Sequence, residues 1–168
     1  ITETKRAEEA QSFLVEASRV LSGSLDELQI VQGLTDLLVP RLADFCIVRI
    51  VNEDGRCRRT SSCHRDPTKA RLLEKILRFP LRGSHPVGAA HVLRTGETEL
   101  VPEVTDIWLR SSAESVKQYE LFCALGPTTM LIVPMRARDR VIGVLTCGRT
   151  GAGRRYSQSD AELLQDLV

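Results

Sequence analysis

The chain has 168 residues, 42% of them hydrophobic and 27% charged, with a net charge of +1. Length and composition suit one globular domain with a sizeable core. Near-neutral charge, scattered arginines and only two Tyr and one Trp argue against nucleic-acid binding, and no apolar run approaches the ~20 residues that span a bilayer.

The start of the chain carries no secretory signal pattern. Its five cysteines form no C-x-x-C pair, and Cys46, Cys123 and Cys147 lie in apolar segments. That usage predicts buried thiols in a reduced, cytoplasmic chain rather than a disulfide framework. Because the sequence opens on Ile1 rather than Met, a piece of a longer protein is expected.

From Glu3 to Leu21 the pattern is helical: Ala7, Ala10, Leu14, Ala17 and Leu21 recur at spacings of three and four, close to a heptad seam. Residues 1–22 are therefore read as a linker or dimerisation helix and 23–168 as the domain proper. Ser24-Leu25-Asp26-Glu27 reads as a capping box for a second helix, with Leu28, Val31, Leu34 and Leu38 on one face and Pro40 as its stop. Ala43 to Val51 is a strand apolar on both faces, apart from Arg49. Asn52 to Gly55 is a turn, and Arg56 to His64 returns as a polar strand suited to a sheet edge.

Asp66-Pro67 opens a helix with Leu72, Leu73, Ile76 and Leu77 inward, ending at Pro80. Ser84 caps a short helix from His85 to Arg94, closed by Gly96. Glu97 to Val101 is a short strand. Asp106 to Leu125 reads as one helix with Leu109, Val116, Tyr119 and Phe122 inward, closed by Gly126-Pro127. Two apolar runs, Met130 to Met135 and Val141 to Cys147, flank the charged stretch Arg136 to Arg140 and predict a central β-hairpin buried on both faces. Pro134 is expected where no ladder bond is donated, at a bulge; Gly143 and Gly148 leave room for close approach of another segment. Ser157 and Asp160 cap a last helix carrying Leu163, Leu164, Leu167 and Val168.

The sequence offers little catalytic chemistry. There is no Gly-x-Ser-x-Gly elbow, no HExxH and no phosphate loop ending in Lys-Ser/Thr. Gly148 to Gly153 follows a strand but reads as a strand-to-helix loop. Cys63-His64 at the edge-strand end is a candidate pair for a soft metal or haem, or a boundary pair with no ligand. No cofactor and no metal are assigned.

The run Leu131 to Gly148, LIVPMRARDRVIGVLTCG, resembles the end of a GAF domain, the small-molecule sensor module of signalling proteins. Leu42-Ala43-Asp44-Phe45-Cys46 with Asp54-Gly55 resembles that family's first strand and hairpin, and Val92 to Glu97 its "hxTGxxh" helix end. The resemblance covers Leu25 to Val168. It implies an α+β fold with a central antiparallel sheet of about five or six strands and helices on both faces. The terminal helices would pack on one face and Asp66 to Leu125 over the other.

The same resemblance implies a function. The chain would be a regulatory sensor domain of a larger bacterial signal-transduction protein, a two-component sensor being one such parent. It would bind a small-molecule effector and couple it to an output domain through terminal helices, as a homodimer. The alternative is a ligandless dimerisation and coupling module. A free methionine sulfoxide reductase is the remote alternative: Val87 stands where that branch has its catalytic thiol, so no catalytic residue is assigned and the domain is not read as an enzyme. Bilin-binding members attach the pigment to a Cys followed by His in a different segment from Cys63-His64. The expected ligand-binding residues are Arg49, Ser62, Cys63, His64, His91, Trp108 and Tyr119. Turned inward, Arg49 would meet an anionic ligand; turned outward, it would be solvated or paired to a helix.

Overall fold

The structure, a computed structural model, describes residues 3–22, 27–81 and 85–168, with α1 side chains described for 5–15. Five antiparallel strands form one sheet: β1 (Phe45–Val51), β2 (Cys57–His64), β3 (Glu99–Val101), β4 (Pro127–Ala137) and β5 (Arg140–Thr150), in the order β2-β1-β5-β4-β3. The helices are α1 (Glu3–Ser22), α2 (Glu27–Leu38), α3 (Ala70–Leu77), α4 (Ala89–Thr95), α5 (Asp106–Ser112), α6 (Val116–Leu125) and α7 (Gln158–Leu167).

The fully apolar hairpin lies inside the sheet and the polar strand β2 lies at its edge, as expected. The hairpin strands run further than the apolar pattern, so Ala137 pairs with Arg140 and the turn is only Arg138-Asp139. Both turn residues have positive φ, 52° and 65°, the handedness that matches strand twist in a two-residue hairpin. Pro134 sits past the end of β3, one residue before a bulge at Met135/Arg136.

Alternation divides the side chains between two faces. Cys46, Val48, Ile50, Leu131, Val133, Leu145 and Cys147 meet α2, α7 and Phe13 of α1 in one continuous cluster. Phe45, Ile47, Met130, Ile132 and Val144 face the lobe built by α3 to α6, where the apolar contacts split into two smaller clusters. Gly148 pairs with Phe45, and a Cβ there would run into the Phe45 ring. Glycine at 148 is therefore what lets an aromatic ring lie flat across the sheet.

Four expectations are corrected. Asp106 to Leu125 is two helices: Ala113 is extended, Ser115 caps α6 by accepting from Gln118 N at 3.2 Å, and Gln118 Oε1 accepts from Glu114 N at 2.5 Å. The break rotates α6, so Gln118 turns inward and Val116 is 73% exposed. The same rotation leaves Cys123 exposed, whereas Cys46 and Cys147 are buried as expected. The short helix begins at Ala89, because Gly88 holds φ 95°, a backbone state open to glycine and closed to a helix. Within the α1 seam Ala7 is exposed, Ala10 and Leu14 are half-buried, and Phe13 is the residue that enters the core. The expected capping box at Ser24, the cap at Ser84, and the Ala17 and Leu21 side chains lie outside the described residues.

Candidate functional site

Between the lobe and the sheet lies a cavity of ≈ 90 Å³. The sheet supplies its floor with Phe45, Ile47, Met130, Ile132 and Thr146; Ile76, Leu81, Trp108, Leu109 and Phe122 supply its walls. Trp108 touches both lobe clusters and so spans the gap between them. The cavity exists because the lobe is assembled from short helices, each covering only part of the sheet.

Polar groups enter this apolar shell at few points. Arg49 is 5% exposed and lines the cavity. Its Nη1 donates to Phe79 O at 2.9 Å and its Nη2 to Ile76 O at 3.3 Å, so the cation sits at the C-terminal end of α3. There it opposes the negative end of the helix dipole. Burial pulls the guanidinium below its usual pKa. No carboxylate is paired with Arg49 among the described residues. Glu114, Gln118, Ser112, His85 and Thr146 complete the polar lining.

Glu99 of β3 holds the lid. Its Oε1 accepts from Gly88 N at 2.7 Å and its Oε2 from Trp108 Nε1 at 3.1 Å. One carboxylate thus ties the entrance of α4 and the indole of α5 to the sheet. The only hint of it in the sequence is a charged residue inside a short strand.

Of the seven residues expected at the site, the structure brings Arg49 and Trp108 to the cavity wall. Ser62 and His64 are on the lobe face of β2, opposite Ile47 and Phe45, at the sheet edge. His64 is buried and stacks on Phe45, with ring centroids 6.0 Å apart. Its Nδ1 accepts from Asp66 N at 2.9 Å, its Nε2 is buried without a partner, and burial, followed by Lys69, pushes its pKa down. Cys63 points to the opposite face, in one cross-strand row with Cys46 and Cys147. Burial raises the thiol pKa of both Cys63 and Cys46, which keeps them protonated and unreactive. His91 lies on α4, where its Nδ1 and Arg94 Nη2 are 3.0 Å apart. Tyr119 lies outside the cavity: its hydroxyl donates to Asp106, which pushes its pKa up to about 12, and Arg110 stacks on its ring. Among the described residues, no group of three or more His, Cys, Asp or Glu is placed to hold a metal ion, and no helix is long and apolar enough to cross a membrane.

A five-stranded antiparallel sheet with terminal helices on one face and a short-helix lobe over the other is a sensor-type architecture. The GAF domain family model matches residues 24–168, and the chain belongs to that family. Its fold is similar to the GAF domain of a phosphoenolpyruvate-protein phosphotransferase from Coxiella burnetii, at 13% identity and TM-score 0.68, over 96% of this chain and 89% of that one. It is similar to the GAF domain of the corresponding Acinetobacter protein, at 14% identity and TM-score 0.63, over 95% and 87%. It is also similar to free methionine-R-sulfoxide reductase from Neisseria meningitidis in complex with its substrate, at 14% identity and TM-score 0.63, over 96% and 85%. A sequence comparison with curated proteins returns no match. At these identities the structural likeness defines the fold.

Proposed function

We propose that this chain is the regulatory sensor domain of a larger signal-transduction protein and binds a small molecule in the cavity between sheet and lobe. The observation that carries this is a buried cation without a carboxylate, Arg49, in the wall of an otherwise apolar cavity. Such a group contributes most when a ligand supplies its missing acceptor. Occupancy would press on α3, α5 and α6 and pass through the sheet to α1 and α7. A ligand shifts those helices only if it binds two arrangements with different affinity. The domain is read as a cytoplasmic, bacterial, homodimeric regulator and not as an enzyme, with Val87 standing where the reductase branch has its thiol.

Native mass spectrometry of freshly purified protein, followed by a thermal-shift screen of small metabolites, tests the proposal. A true effector at a hundredfold excess over its Kd adds about 2.7 kcal/mol of stability. Trp108→Ala should abolish that gain. A hit whose shift survives in Trp108→Ala binds elsewhere and contradicts the assignment.

The second reading, a ligandless coupler, is favoured by the cavity's size: ≈ 90 Å³ is well below the roughly 300–1,000 Å³ of drug-sized ligand sites. Light scattering bears on the dimer that both readings share. A mass near 18.7 kDa at every concentration would contradict it.

A further inference from the structure

A second concavity lies on the opposite face, where the terminal helices meet. It is a groove of ≈ 890 Å³ bounded by α1, by Arg41-Leu42 after α2, and by the β5–α7 loop with the start of α7. Its wall carries five arginines, Arg6, Arg41, Arg149, Arg154 and Arg155, against two carboxylates, Glu9 and Asp160. The whole chain carries only +1, so this is a local concentration of charge and not one sample of a basic surface. Gathering like charges from three segments opposes folding unless something else offsets it.

Contacts hold these arginines in place without using up their donors. Arg149 Nε donates to Leu42 O at 3.2 Å, and its guanidinium lies 5.1 Å from the centre of the Tyr156 ring. Arg41 lies 5.7 Å from the centre of the Phe13 ring. Arg154 is paired with Asp160, whose other oxygen accepts from Ser157 N at 2.8 Å and Ser157 Oγ at 3.1 Å, so that carboxylate is already committed to capping α7. Arg155 pairs with Glu103 at 3.3 Å, with both side chains more than half exposed, a contact that solvent and salt screen strongly. Each guanidinium has five N–H donors, more than these contacts use.

We propose that this groove binds the diphosphate or triphosphate group of a small anionic ligand. The guanidinium fork matches phosphate oxygens in pairs, and cations spread over three segments suit a chain of phosphoryl groups better than one carboxylate. The groove's size fits a nucleotide-sized molecule. Its concave shape does not fit a flat lipid surface. Its two aromatic rings, Phe13 and Tyr156, are buried beneath arginines and offer no platform for single-stranded nucleic acid. Thr128 Oγ1 donates to Arg149 O at 3.2 Å and Gly151 O at 2.9 Å, which pins the loop carrying the arginines. Arg6 is on α1 and the others are on the domain body, so a bound polyphosphate would tie α1 to the α7 end. That makes the groove a control point for the terminal helices, separate from the lobe cavity.

Isothermal titration of the intact chain with pyrophosphate and, separately, with ATP tests this, with sodium sulfate as the control anion. Saturable binding of both phosphate ligands is expected, weaker by about tenfold between roughly 50 and 200 mM salt. The double variant R6Q/R155Q changes two exposed side chains on opposite sides of the groove, and an unchanged melting temperature will verify its fold. It should lose about tenfold or more in affinity. Tighter binding of ATP than of pyrophosphate would place the nucleoside in the groove as well, and equal binding would assign recognition to the phosphates alone. Absence of saturable binding for either ligand overturns the proposal. So do ATP binding without pyrophosphate binding, full affinity in R6Q/R155Q, and sulfate binding as tight as pyrophosphate.

Discussion

The two faces of one sheet are packed in different ways. On the terminal-helix face, side chains of β1, β4 and β5 interdigitate with α2 and α7 in one cluster, and Leu34, Leu38, Leu145 and Leu164 are at most 2% exposed. On the lobe face the same strands meet four short helices, and the apolar contacts fall into two clusters with a cavity between. Long amphipathic helices can close a sheet face completely. Short ones leave gaps that need polar tethers, here Glu99 and Arg49. One face therefore supplies stability and the other supplies room.

Substitutions on the two faces should separate these roles. Leu38→Ala on the packed face should cost about 2–5 kcal/mol in chemical denaturation, while Leu109→Ala, which borders an existing cavity, should cost under about 1 kcal/mol. Equal costs would mean the lobe is as tightly packed as the helix face. Gly143→Leu is next: a Cβ there would run into the Arg49 carbonyl and Ile50, so a loss of ~1–3 kcal/mol is expected, and an unmoved midpoint would contradict the β1–β5 register. Glu99→Ala removes acceptors from Gly88 N and Trp108 Nε1. It should cost roughly 1–2 kcal/mol and shift Trp108 fluorescence to longer wavelength as the lid loosens.

The smallest effect is a pH dependence from His64. Burial lowers its folded-state pKa below the ordinary 6.5, so the unfolded chain binds the proton more readily. Its contribution to stability is full above about pH 6.5 and is lost as pH falls through the lowered folded value. Midpoints measured from pH 7.5 down to 5 should fall, and His64→Gln should flatten that slope. An unchanged slope in the variant would assign it to other groups.

The packed face was legible in the sequence because long helices and doubly apolar strands write strong patterns. Strand order followed from polarity: the hairpin is apolar on both faces and β2 alternates polar residues. The lobe was harder to read. Its helices have only seven to ten residues, too few for periodicity to set their faces, which is why one predicted helix proved to be α5 and α6. The candidate site depends on contacts between such pieces. Arg49 stood out as a lone charge in an apolar strand, and Trp108 as the single Trp. Glu99 and Gln118 gave no comparable signal, since their roles arise from partners distant in sequence. His64 and Cys63 looked like a pair, but neighbours along a strand point to opposite faces.

The claim that the lobe face keeps a real void, and the helix face none, can be tested with xenon. Apolar cavities that stay empty of water take up this gas. Crystals pressurised with xenon should show it bound between Trp108, Met130 and Ile132, with no uptake between the sheet and α2 or α7. Xenon absent from the lobe, or present under the terminal helices, would contradict this division of the two faces.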